Sequence, residues 1–259
     1  MSEVKIDTSK MDKDKIYSAN LDKAHLEAPV AIVIPTRNSG QWLKLTIDSI
    51  YRTIRSPFKV IIVDSKSTDG TKEWCREFAE QQSNFEIHDV EFDGTTKAIN
   101  YGIKLAGDLD VLLTQDDVIF HFFINRDILM DFKYNAKRKN VGIVTVDNGG
   151  GTSGPMYLDG FKWSGTWCMF IPKKTRDIVG LLDENLNPGD GDDIDYSYAV
   201  IKKGLALCFT DMFVEHHRKF TVSEHEHEDQ KIKEKNSAYF RKKWNLDIPT
   251  LISCIAKPK

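Results

Sequence analysis

The sequence predicts an α/β protein built on a mostly parallel, doubly wound sheet, with a less regular second half. Two observations predict it. Between residues 30 and 113, short apolar runs alternate with segments whose apolar residues recur at helical spacing. The runs are continuous rather than every-other-residue, which is the pattern of strands covered on both faces.

The first run, Val30-Ala-Ile-Val-Ile34, is stopped by Pro35 and reads as a buried parallel strand. Leu43, Ile47, Ile50 and Ile54 then mark an amphipathic helix. A second strand, Val60-Ile-Ile-Val63, ends in Asp64. Asp69-Gly70-Thr71 supplies capping residues for a second helix with Trp74 and Phe78 on one face. Phe85 to Val90 is a weaker strand, Lys97 to Ala106 a third helix, and Val111 to Leu113 the next strand. Beyond these come a strand from Val141 to Val146 and a glycine-rich loop, Asn148-Gly-Gly-Gly-Thr-Ser-Gly154. That loop suits either a mobile active-site segment or a surface loop. Trp163 to Ile171 reads as a strand, Ile194, Tyr198 and Ile201 mark a helix, and a polar helix runs from about Glu224 to Trp244. There is no internal repeat.

The 259 residues, 41% of them hydrophobic, suffice for one large α/β domain or two small ones. A net charge of -3 gives no electrostatic footprint for nucleic acid. No apolar run reaches the roughly 18 residues of a membrane span, and the N-terminus lacks a signal-peptide core. The four cysteines are scattered without CxxC spacing, as expected of reduced thiols in the cytoplasm.

Three strand ends converge on one edge of such a sheet: Pro35-Thr-Arg-Asn38, Asp64-Ser-Lys-Ser-Thr-Asp69 and Gln115-Asp-Asp117. Open parallel sheets bind ligands at that edge. Asp116 and Asp117 end an apolar run, and carboxylate oxygens suit Mg²⁺ or Mn²⁺; an ordinary acidic turn is the alternative. A carboxylate at the end of the second strand, Asp64, can accept from a ribose hydroxyl or a base N–H, with Thr36, Asn38 and Ser67 as further polar contacts. Turn chemistry explains these residue types equally well. There is neither GxGxxG nor GxxxxGK[ST], so a diphosphate held here needs another partner, and a metal on Asp117 would serve.

The cluster Asp190-Gly-Asp-Asp-Ile-Asp195 packs carboxylates closely enough to raise a pKa, as a general base requires. Helix N-terminal capping is the alternative. Of the clustered histidines, His225 and His227 alternate with glutamates as on a solvated face. His216 and His217 follow the apolar Met212-Phe-Val214 and are better placed to enter a site. Zinc lacks the accompanying cysteines or regular spacing. Trp163 or Trp167 could stack on a sugar or belong to the core.

In order, seven segments resemble the family 2 glycosyltransferases, which have the GT-A fold. They are Val33-Ile-Pro-Thr-Arg-Asn38, Ile62-Val-Asp-Ser-Lys-Ser-Thr-Asp-Gly-Thr71, Lys97-Ala-Ile-Asn-Tyr-Gly102, Gln115-Asp-Asp117, Gly180-Leu-Leu-Asp-Glu184, Asp192-Asp-Ile-Asp195 and Val214-Glu-His-His217. The resemblance spans roughly Pro29 to Trp244. It implies that Pro35, Thr36, Asn38, Asp64 and Ser67 lie near the nucleoside, that Asp117 ligates Mn²⁺ or Mg²⁺, and that Asp193 is the base. One of His216 and His217 would be a further metal ligand or diphosphate contact. Asp192 and Trp167 are expected on the acceptor side.

Gln115 stands where the family's Asp-x-Asp metal motif has its first Asp, with Asp116 placed to compensate. Phe240-Arg-Lys-Lys-Trp244 is not the Gln-x-x-Arg-Trp of processive synthases. The expectation is an inverting, non-processive enzyme moving one sugar from a nucleotide sugar to an acceptor hydroxyl, on a glycan or a lipid-linked acceptor. It would be cytoplasmic or peripheral at a membrane surface. The expected domains are a charged arm (1–28, with eleven Asp, Glu and Lys residues), a catalytic domain (29–222) and a C-terminal helical extension (223–259). A nucleotidyltransferase and a non-catalytic nucleotide-sugar or glycan binding module are the rival readings.

Overall fold

A computed structural model describes residues 27–124, 126–147, 157–158, 161–217 and 226–245. The Asn148–Gly154 loop, His225 and nearly all of the charged arm lie outside the described residues, as does the side chain of His227.

The first half runs β1 (Val30–Thr36), α1 (Gly40–Thr53), β2 (Phe58–Ser65), α2 (Thr71–Gln81), β3 (Phe85–Val90), α3 (Thr95–Leu105) and β4 (Asp110–Thr114). The second half adds β5 (Val118–Phe120), α4 (Ile128–Ala136), β6 (Val141–Val146), β7 (Tyr157–Leu158), β8 (Phe161–Lys162) and β9 (Cys168–Ile171). It ends with α5 (Lys173–Val179), a 3-10 turn (Glu184–Leu186), α6 (Asp192–Lys202), β10 (Ala206–Thr210), β11 (Val214–His216) and α7 (Glu226–Trp244).

The main sheet has the order β10-β6-β9-β4-β1-β2-β3. β9 alone runs against its neighbours β4 and β6, and the other strands are parallel. This is the mostly parallel, doubly wound architecture that the sequence pattern anticipates. Residues of β1 alternate between two cores. Val30, Ile32 and Ile34 pack with Leu43, Ile47 and Ile50 of α1 and Leu129 and Phe132 of α4. Ala31 and Val33 pack with Ala98, Ile99 and Ile103 of α3 and Tyr196 and Val200 of α6. Helices therefore cover both faces, and every β1 residue is buried. Burial of each of its Val and Ile side chains stabilises by about 1.5–3 kcal/mol, enough for β1 to serve as a rigid platform for the loop that follows it.

Two element starts and one strand pair add to the expected pattern, each for a local reason. The strand expected from Trp163 begins only at Cys168. A Cβ at Gly165 would sit 2.4 Å from the Trp167 ring, so the indole folds back over bare glycine backbone and the chain turns before β9. The helix marked by Ile194, Tyr198 and Ile201 starts at Asp192, which puts Asp192, Asp193 and Asp195 in its first turn. Anions are favoured there by the helix dipole. Finally, the short β5 and β11 pair with each other antiparallel outside the main sheet, and three residues are too few to show a periodicity.

Candidate functional site at the carboxyl edge of the sheet

β1, β2 and β4 end side by side, and their loops are tied to one another. Asp64 closes β2 with no exposed surface; its Oδ1 accepts from the Ser67 amide at 2.8 Å. Ser67 Oγ accepts from the Asn38 amide (2.8 Å), and Asn38 Oδ1 accepts from the Thr68 amide (2.7 Å). Asn38 and Lys66 both have left-handed backbone, φ 51° and 65°, a conformation that costs most residues energy and must be held by its surroundings. The expected nucleoside-side residues are therefore brought together, with Pro35 buried under them. Much of their hydrogen-bonding capacity goes into the loops themselves. Asp64 Oδ2 is the exception, a buried acceptor without a hydrogen-bond partner.

The carboxylate pair splits. Asp116 Oδ2 accepts from Thr36 Oγ1 at 2.7 Å and from Ser39 Oγ. Ser39 is the N-cap residue of α1, yet its hydroxyl makes no cap bond and reaches Asp116 instead. Burial pushes the Asp116 carboxyl up to about 6 despite these two donors. Thr36 gives its hydroxyl to Asp116, and through Ser39 the same Asp116 oxygen ties the end of β1 to the start of α1.

Asp117 Oδ1 lies 3.3 Å from His216 Nε2. The β5–β11 pairing causes this, because His216 sits opposite Val118. Trp167 stacks on the His216 ring, centroids 5.3 Å apart and planes 15° apart. Adjacent ligands on a six-coordinate divalent cation with bonds of about 2.1 Å are separated by roughly 3 Å, so Asp117 and His216 fit neighbouring positions on one ion. His216 Nδ1 is buried without a hydrogen-bond partner. No group of three or more His, Cys, Asp or Glu converges as a metal site among the described residues. These two donors fit a cation whose remaining ligands come from water and phosphate; the carboxylate suits Mg²⁺ or Mn²⁺, and the imidazole favours a transition metal over Mg²⁺. His217 turns elsewhere: its ring packs on Trp42 at 4.9 Å and its Nε2 lies 3.3 Å from Glu215. Trp167, expected on the acceptor side, is 9% exposed and gives one face to His216. Trp163 belongs to the interior.

The third group reaches the same edge through α3, whose N-terminus follows β3. Thr96 Oγ1 donates to Asp192 Oδ2 at 3.1 Å, and Asp192, expected on the acceptor side, is buried. Asp193 is half-buried and accepts from the Ile194 amide at 2.8 Å. Burial, then mutual repulsion with Asp192, holds the Asp193 carboxyl above the ordinary carboxylate range. Asp195 instead accepts from Lys243 Nζ and Trp244 Nε1 of α7, both at 2.7 Å. Sequence reasoning missed Ser39, Thr96, Lys243 and Trp244. For the first two, a hydroxyl at a helix start was the available signal.

Residues 31–123 match the family model described as Glycosyl transferase family 2. Glycosyltransferase GlyG of Streptococcus pneumoniae is 28% identical over 92 residues, 35% of this chain and 31% of that protein. An uncharacterized glycosyltransferase of Rickettsia bellii is 28% identical over 96 residues, 37% of this chain and 14% of that one. The chain thus spans less than a third of these curated relatives. Mannosyltransferase PcManGT of Pyrobaculum calidifontis, solved with GDP-Man and Mn²⁺, has a TM-score of 0.59 at 19% identity, covering 76% of this chain and 60% of that one. S. aureus TarS 1–349 with UDP-GlcNAc gives 0.55 at 15% identity, covering 84% and 73%. Sequence match and fold agree: residues 31–123 are similar to the family 2 glycosyltransferases, and the chain has the GT-A fold.

Proposed function

We propose that the protein is an inverting, non-processive glycosyltransferase that moves one sugar from a nucleotide sugar to an acceptor hydroxyl. The observation that carries this reading is Asp193, a half-buried carboxyl in the first turn of α6 whose pKa is raised by burial and by Asp192. A base of that kind takes the acceptor proton as the hydroxyl attacks the anomeric carbon from the face opposite the departing diphosphate, which inverts the configuration. Thr96 fixes Asp192 beside it. Asp64, with its buried Oδ2, offers an acceptor to the nucleoside, and the Asn38–Ser67 bonding holds the surrounding loop in shape.

Asp117 and His216 would hold Mn²⁺ or Mg²⁺, with Trp167 fixing the imidazole. A bound divalent ion supplies charge stabilisation to the leaving diphosphate. The solved relatives carrying GDP-Man and Mn²⁺, or UDP-GlcNAc, support a nucleotide-sugar donor. No described helix is long and apolar enough to cross a membrane.

The test is a thermal-shift panel of UDP, GDP, UDP-GlcNAc and GDP-mannose with and without Mn²⁺, followed by donor hydrolysis on whatever binds. Metal-enhanced stabilisation with sugar release supports the enzyme. Binding with no hydrolysis or transfer under any condition identifies a binding module.

A further inference from the structure

Helix α7 lies outside the segment that matches the family model, yet it makes two separate contacts around Asp193. The first is at the turn entering α6. Gly189, Asp190 and Gly191 have φ of 143°, 73° and 87°, three consecutive residues in conformations that L side chains rarely adopt, one of them not glycine. Asn236 of α7 has no exposed surface. Its Nδ2 donates to the carbonyls of Leu186 (2.9 Å), Gly189 (2.8 Å) and Asp190 (3.0 Å). Its Oδ1 is buried without a hydrogen-bond partner, so the amide serves there as a donor alone. The second contact is within the first turn of α6. Lys243 Nζ bridges Asp195 (2.7 Å) and Asp183 (2.8 Å), and Trp244 Nε1 takes the other Asp195 oxygen at 2.7 Å. Tyr239 adds a bond to Asp183 at 2.9 Å. Asp193 lies between these two contacts, two residues after Gly191 and two before Asp195.

We propose that α7, through Asn236 and Lys243, is the positioning element for the Asp193 carboxyl. The inference rests on the reading of Asp193 as the base. Asn236 holds the strained turn that launches α6, and Lys243 with Trp244 fixes the rotation of its first turn. Together they set where the carboxyl sits relative to the acceptor. Neither residue needs to touch substrate. Misplacement of a reacting group by about 1 Å can cost on the order of a hundredfold in rate, so the loss falls on kcat.

The experiment compares Lys243→Met, Lys243→Arg, Asn236→Leu and Asp193→Asn in the full chain. It reads turnover of UDP-GlcNAc or GDP-mannose with Mn²⁺ beside UDP and GDP affinity and melting temperature. Lys243→Met is expected to lower kcat about tenfold or more, with donor KM and nucleotide affinity within about twofold. Lys243→Arg should recover most of the rate, because a guanidinium still spans two carboxylates. Asn236→Leu should behave like Lys243→Met if it folds; Lys243→Met decides the matter if it does not. Unchanged kcat in Lys243→Met while Asp193→Asn is inactive overturns the positioning role and leaves the base intact. A fall in kcat and affinity together, not rescued by arginine, reduces α7 to general support and also overturns it. Normal turnover in Asp193→Asn removes the base itself.

Discussion

His216 and Asp117 lie 99 positions apart in the chain, yet His216 Nε2 stands 3.3 Å from Asp117 Oδ1. Three backbone pairs between β5 and β11 bring them together, and Trp167 fixes the imidazole plane. Both donors thus come from outside the seven-stranded sheet, carried by a small ribbon at its carboxyl edge.

The pair predicts a metal requirement for nucleotide binding. UDP or GDP should raise the melting temperature more with Mn²⁺ than without it, since a ligand that binds only the folded state stabilises it by mass action. His216→Ala and Asp117→Asn should each remove the Mn²⁺-dependent part, weakening diphosphate affinity about tenfold, or roughly 1.4 kcal/mol. Equal shifts with and without Mn²⁺ in the parent would take the metal out of the mechanism.

Asp193→Asn should fail differently. Asparagine keeps the shape but cannot accept the proton, so transfer should fall by about 10²–10⁴-fold while Mn²⁺-assisted nucleotide affinity persists. Rates and affinities measured on both variants separate the two roles. Near-normal turnover would move the base elsewhere. Asp195 is then a poor substitute, because Lys243 and Trp244 already occupy its oxygens.

The same carboxyl predicts the pH profile. A base acts only when deprotonated, so kcat/KM rises as pH passes its pKa. Burial and the Asp192 charge raise that pKa, so the acid limb should lie above the roughly 3.9 of an ordinary aspartate. Asp192→Asn removes the repelling charge and should move the limb to lower pH. The pair titrates as a unit, so the shift is read on the whole profile. A limb already at ordinary carboxylate pH in the parent contradicts the buried-base reading.

The parallel half of the fold was legible because each strand there is a continuous apolar run followed by a helix with a clear stripe, as in Val30–Ile34 and Leu43–Ile54. The second half was not. β5 and β11 have three residues each, and β9 takes its antiparallel direction from its neighbours, which no local pattern encodes. Asp64, Asp117 and Asp193 could be picked out because carboxylates at element ends are conspicuous. The residues that brace their neighbours carry no such local mark: Ser39 and Thr96 are hydroxyls at helix starts, and Asn236 is one polar residue on a polar helix. Only tertiary contact distinguishes a hydroxyl that caps from one that braces Asp116.

The boundary of the charged arm is set by a buried lysine. The sequence places the end of the dispensable arm at residue 28, but Lys133 of α4, only 1% exposed, donates its Nζ to the Ala28 carbonyl. Burial holds the Lys133 ammonium below the ordinary lysine range, so losing an acceptor there is costly. A buried donor deprived of a partner typically costs about 1–3 kcal/mol, and Lys133 has further interactions that place this loss at the lower end. Deleting residues 1–26 should therefore leave the melting temperature unchanged. Deleting residues 1–28 should lower it by a few degrees, at about 2–4 °C per kcal/mol for a domain of this size. The coupling is checked in a Lys133→Met background, where no ammonium remains to be stranded. There the two truncations should melt together, because with no ammonium at position 133 the loss of the Ala28 carbonyl breaks no hydrogen bond. If the 1–28 deletion is as harmless as the shorter one with Lys133 present, the Ala28 contact contributes nothing to stability. If it is equally harmful in Lys133→Met, the damage comes from the entry into β1 rather than from the lysine.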